Sequence, residues 1–151
     1  MSPASPDTSA DKTVLIVDDD KDVRLFLASL ITSCGYHSIS ADNRNDGFKK
    51  AESENPDCII LNCLMCGEDG LALYQNIKTH EKLKNIPVVM LSAIDKDIMM
   101  QHWMFRRGGW AGAMAEPDAF CPSPPEAGTI VSLVRQLTGG PTPTQPNGDA
   151  S

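Results

Sequence analysis

Short apolar runs alternate with helix-period segments along most of the chain. TVLIV (Thr13–Val17) is an unbroken apolar run that stops at Asp18-Asp19-Asp20. Val23, Phe26, Leu27, Leu30 and Ile31 then recur at helical spacing and define one buried stripe. Gly35 suits the end of that helix. HSISA (37–41) is a weaker strand, and a polar helix is expected over 46–54, stopped by Asn55-Pro56. CIIL (58–61) reads as the third strand and GLALYQNIKTH (70–80) as the third helix. IPVVMLS (86–92) reads as the fourth strand, followed by a helix over 95–107. The small-residue run WAGAMA (110–115) is expected as the fifth strand, and Ile130, Leu133, Val134 and Leu137 mark a last helix.

Strands that read as continuous apolar runs are those covered on both faces by helices. Five such strand–helix units joined by right-handed crossovers predict an α/β fold, a doubly wound (βα)5 five-stranded parallel sheet. Sites in such sheets form at the carboxyl ends of the strands. The residues expected around that rim are Asp18, Asp19 and Asp20 after the first strand, Asn62 after the third, Ser92 after the fourth and Glu116-Pro117 after the fifth.

Length and charge narrow the picture. A chain of 151 residues accommodates one domain, expected over 12–138. The Ser/Pro/Asp-rich segment 1–11 is expected to be disordered, and the Pro/Gly-rich stretch 139–151 a flexible tail or linker. A formal net charge of −7 argues against nucleic-acid binding through this domain, which would rest on neutralising phosphates. No apolar run reaches the ~18 residues that a membrane span needs, and the N-terminus lacks the pattern of a secretory signal. A cytoplasmic location is therefore expected. The five cysteines (Cys34, Cys58, Cys63, Cys66 and Cys121) are odd in number and irregularly spaced, which suits free, mostly buried thiols.

Four segments in order, VLIVDDD (14–20), PDCIILNCLMCGEDGLAL (56–73), IPVVMLSA (86–93) and GWAGAMAEP (109–117), resemble the receiver domains of two-component response regulators. The resemblance implies the flavodoxin-like receiver fold. It also implies a site in which an acidic pair, here Asp18 and Asp19, holds Mg²⁺ beside a phosphoacceptor aspartate at the end of the third strand. Asn62 stands at the acceptor position, and a neutral amide has no anionic oxygen with which to form an acyl phosphate. Ser92 matches the Ser/Thr after the fourth strand. On the expected fifth strand, the switch aromatic falls at Ala113 and the phosphate-binding lysine at Glu116, before Pro117. Asp18–Asp20 also suit the start of a helix, where negative charge and side-chain caps are favoured.

These departures predict a pseudo-receiver: a non-enzymatic module for signalling and protein interaction that acts without phosphorylation. No cofactor is required, and at most a weak Mg²⁺ site is expected at Asp18 and Asp19. The expected partners are proteins of a signalling pathway, a histidine kinase or an output protein. A homodimer is also conceivable through the face made by the fourth helix, the fifth strand and the fifth helix. Met99, Met100, Trp103 and Met104 on the helix over 95–107 exceed what one buried stripe needs and suit such a face. Three alternatives stay open. One is residual phosphoryl transfer to Asp19 or Glu116. Another is divalent-cation binding by Asp18, Asp19 and Glu116. The third is redox sensing through Cys63-x-x-Cys66. A hydrogen bond from the Asn62 amide to Glu116 is a further expectation of the rebuilt site.

Overall fold

The computed structural model describes residues 12–63, 65, 69–93, 95, 97–98 and 117–139. Five parallel strands form one sheet: β1 (Thr13–Val17), β2 (His37–Ala41), β3 (Cys58–Asn62), β4 (Val88–Ser92) and β5 (Ala119–Pro122), in the order β2-β1-β3-β4-β5. Between and after them run α1 (Lys21–Ser33), α2 (Arg44–Glu54), α3 (Asp69–Lys78) and the C-terminal helix α4 (Ala127–Thr138). The order reverses direction after β2, so β1 and β3 lie side by side in the middle, with their carboxyl ends at one rim.

Strand alternation divides the apolar residues between two cores. Leu15, Val17, Ile59, Leu61, Val88 and Met90 face one side, packed with Ala51 of α2 and with Leu73 and Ile77 of α3. Val14, Ile16, Cys58, Ile60, Val89 and Leu91 face the other, packed with Leu27 and Ile31 of α1 and with Ile130 and Val134 of α4. An all-apolar strand is thus half in each core, which is why β1, β3 and β4 carry no alternating pattern. Among the described residues no helix is long and apolar enough to cross a membrane.

Local chemistry sets the helix ends. Asp20 caps α1 by accepting from the backbone N–H groups of Asp22 and Val23 at 2.9 and 3.2 Å. Asn43 caps α2 by accepting from the Asp46 N–H at 2.8 Å. Asn55 ends α2 in the left-handed region at φ 47°, directly before Pro56. Asp57, the carboxylate at the start of β3, accepts from the Thr13 N–H at 2.8 Å and so ties the entries of β1 and β3 together.

The fifth strand is a correction. The sequence pattern placed it over 110–115, which lies outside the described residues; the strand that completes the sheet is Ala119–Pro122. Prolines disguise it, because proline cannot donate to a ladder in the middle of a sheet. Among the described residues β5 is the outermost strand and pairs only with β4, so Pro122 costs no inner ladder bond. Asp118 fastens its entry: Oδ2 accepts from the Val88 N–H at 2.8 Å and lies 3.6 Å from Lys78 Nζ.

Gly70, in the first turn of α3, sits against the end of β3, where an added Cβ would overlap the Asn62 carbonyl oxygen. The three nearest atoms, from the Asn62 and Cys63 carbonyl groups, are all backbone, which cannot rotate away. Gly70→Ala is expected to lower stability by roughly 2 kcal/mol or more, read as a fall in the urea midpoint at unchanged slope.

Candidate functional site

The site is built from the ends of β1, β3 and β4. Because β1 and β3 are parallel and in register, with Val17 opposite Leu61, the next residue of each strand faces the same rim. Asp18 is buried, Asp19 and Asp20 are exposed and Asn62 is half-buried. Asn62 Nδ2 donates to Asp18 Oδ1 at 3.1 Å, and the same oxygen accepts from the Asp20 N–H at 2.9 Å. The Asn62 orientation follows from chemistry: turning the amide would set its oxygen against a carboxylate oxygen. Arg24 Nη1 donates to the Asp18 backbone carbonyl oxygen at 2.8 Å, which ties α1 to the end of β1.

Burial pushes the Asp18 carboxyl above the ordinary carboxylate range. The hydrogen bonds from the Asp20 backbone and from Asn62 pull it back, while the charges of Asp19 and Asp20 add to the rise. Burial is the larger effect, and the two donors offset only part of the cost of burying the charge.

Ser92, at the end of β4, is buried, and its side chain is hydrogen-bonded to the Cys63 thiol. The Cys63 N–H donates to the Leu91 carbonyl at 3.1 Å, so β3 stays clamped to β4 past Asn62. Burial pushes the Cys63 thiol up to about 11, against the opposing pull of Ser92. At neutral pH it is a protonated core thiol with little nucleophilic character, which removes support from redox sensing. Its spaced partner Cys66 lies outside the described residues.

The positions tied to the fifth strand move with that strand. Its aromatic residue is Phe120, which is half-buried against the core under β3 and β4. The residue following the strand is Ser123, whose N–H donates to the Ser92 carbonyl at 2.9 Å and which a cis peptide bond joins to Pro124. In the receiver pattern the aromatic lies within this strand and the lysine precedes a proline at its end. Those places correspond here to Phe120 and Ser123 rather than to Ala113 and Glu116. Pro117 is buried just before β5 and not at its carboxyl end, while Ala113 and Glu116 lie outside the described residues. Loop length was the signal that could have found this. A strand ending at 115 leaves all of 116–126 as a connection to α4, longer than such connections usually are. Ser92, Phe120, Cys121 and Ser123 line a cavity of about 380 Å³ beside the rim.

The donor set does not reproduce a three-carboxylate Mg²⁺ site. Asp18 has one oxygen already taken by two N–H donors, Asn62 contributes an amide, and Asp19 is exposed. Among the described residues no three Asp, Glu, His or Cys side chains gather around a common point. Met99, Met100, Trp103 and Met104, the expected interaction face, lie outside the described residues.

Comparison with known proteins agrees with this geometry. Residues 14–109 match the response regulator receiver domain family. The chain is 33% identical over 82 residues to the phosphate regulon transcriptional regulatory protein PhoB of Pseudomonas aeruginosa, covering 54% of this chain and 36% of that protein. It therefore spans about a third of the length of that curated relative. Among solved structures, the chemotaxis protein CheY4 of Vibrio cholerae superposes with a TM-score of 0.70 at 19% identity, covering 83% of this chain and 98% of that one. The signal receiver domain of a signal transduction histidine kinase from Syntrophus aciditrophicus also gives 0.70, at 24% identity, covering 89% and 95%.

The raised Asp18 carboxyl has a testable consequence. A group that binds its proton more tightly when folded stabilises the fold below its unfolded value, and that contribution is lost as pH rises through the folded value. Asp18→Asn is expected to flatten this acidic limb of the stability profile and to leave the neutral-pH protein at least as stable. Urea titrations across the acidic range check both; a steeper limb in the variant would contradict the assignment.

Proposed function

We propose that this chain, which belongs to the response regulator receiver domain family, is a receiver that signals through protein contacts without being phosphorylated at the usual position. The observation that carries the reading is the hydrogen bond from Asn62 Nδ2 to Asp18 Oδ1. Asn62 ends β3 where the receiver pattern has its nucleophile, and it presents a donor where that pattern presents an anion. The same bond supplies part of the compensation that a cation gives a cluster of carboxylates. Ser123 at the end of β5 supports the reading, since a hydroxyl brings no positive charge to an incoming phosphoryl group.

In this reading the chain is not an enzyme and needs no cofactor, and Mg²⁺ at Asp18 and Asp19 binds weakly if at all. Its partners are signalling proteins, a histidine kinase or an output protein, with self-association as a further mode. Phe120 keeps an aromatic ring on β5 beside Ser92, so a partner could still bias that part of the rim by packing alone.

The test is direct phosphorylation chemistry. After incubation with acetyl phosphate and Mg²⁺, the intact mass of the wild-type chain is expected to be unchanged. A gain of one phosphoryl group would overturn the proposal and point to another carboxylate as the acceptor.

A further inference from the structure

Outside the Asp18–Asn62 cluster, α2 and α3 line a second, open cavity of about 420 Å³, formed by Arg44, Asn45, Phe48, Lys49 and Asn76. Its lining holds two cations, two amides and one aromatic ring but no carboxylate, in a chain of net charge −7. Its residues come from the first two turns of α2 and from a helix more than twenty residues further on, so no single stretch of sequence marks it.

Arg44 is oriented rather than neutralised. Its Nε and Nη2 both donate to Asn76 Oδ1, at 3.2 and 3.1 Å, a two-pronged grip on a neutral acceptor. That holds the guanidinium in place and keeps its full charge, with donors left over. The Asn76 amide nitrogen makes no hydrogen bond among the described residues, and neither does Lys49 Nζ. Neighbouring acids are engaged elsewhere: Asp46 lies 3.3 Å from Lys50 Nζ, Asp42 accepts from Asn43 Nδ2, and Glu52 lies 3.2 Å from His80 Nε2. Phe48 is the apolar wall, fixed by an edge-on contact with the His80 ring at 5.6 Å between centroids.

We propose that this α2–α3 cavity binds a small molecule that carries a carboxylate or phosphate next to a flat apolar group. The Arg44 N–H groups not used on Asn76, together with Lys49, take the anion, Asn76 donates a further hydrogen bond, and Phe48 receives the apolar part. The volume lies in the range of small-ligand sites, roughly 300–1,000 Å³. Nothing in this proposal depends on whether Asn62 disables phosphorylation.

Phenyl phosphate is a probe with both features, and inorganic phosphate and benzyl alcohol each carry one. In nitrogen-15 NMR titrations of the full chain, phenyl phosphate is expected to give saturable shifts centred on Phe48, Lys49 and Asn76. Inorganic phosphate should bind more weakly, and benzyl alcohol should not saturate. Arg44→Gln is expected to weaken phenyl phosphate binding by about tenfold, as loss of a charge-assisted hydrogen bond implies. Asn76→Asp gives Arg44 a carboxylate partner without removing a side chain from the fold, and it should weaken binding as well. Shifts that never saturate, that centre on Asp18 and Asn62, or that survive both substitutions would overturn the proposal. Equal affinity for inorganic and phenyl phosphate would reduce it to adventitious ion pairing.

Discussion

The parallel pairing of β1 with β3 is the constraint on which the rim depends. It fixes Val17 opposite Leu61, and the residues that follow must then share one small volume at the edge of two apolar cores. A pair of carboxylates there would need a counter-charge, because neither can be moved back into water without breaking the register. Asn62 resolves the conflict with a hydrogen bond to Asp18. The arrangement is a compromise, since burial still holds the Asp18 carboxyl above its ordinary range.

From that pairing the neighbouring contacts follow. Cys63 continues the β3–β4 ladder through the Leu91 carbonyl, and this draws its thiol against Ser92 and out of reach of solvent. Gly70 must then approach the Asn62 carbonyl from α3, which leaves no room for a side chain. At the outer edge, Ser123 reaches the Ser92 carbonyl. Three strands and one helix therefore meet around a single asparagine. Among the described residues the receiver-type sheet and four of its helices surround a rim where an amide meets a carboxylate.

Charge is distributed unevenly between the strand ends and the α2–α3 surface. Asp18, Asp19 and Asp20 gather at the strand ends, while Arg44 and Lys49 flank a cavity between α2 and α3. An acidic rim repels the anions that the α2–α3 cavity attracts, so ligands for the two places would be of opposite character. α2 and α3 both pack on the core that contains Val17 and Leu61, and the same apolar layer supports both regions.

The local sequence determined most of the scaffold. Unbroken apolar runs marked β1, β3 and β4, the stripe on α4 marked its buried face, the stripe on α1 did so except at Phe26, which is exposed, and Asp20 and Gly35 marked the ends of α1. These signals are legible because each depends on near neighbours along the chain: helical spacing, capping and side-chain size. Asn62 as the odd residue of the rim was legible too, since strand ends follow from strand pattern. The partner of Asn62, the location of β5 and the α2–α3 cavity were decided only by tertiary structure. Asp18 and Asn62 are far apart in sequence and meet through strand register. Pro122 is acceptable only because β5 is an edge, and edge position belongs to the whole sheet rather than to any segment. Arg44 and Asn76 likewise meet only because two helices pack on the same face of that sheet.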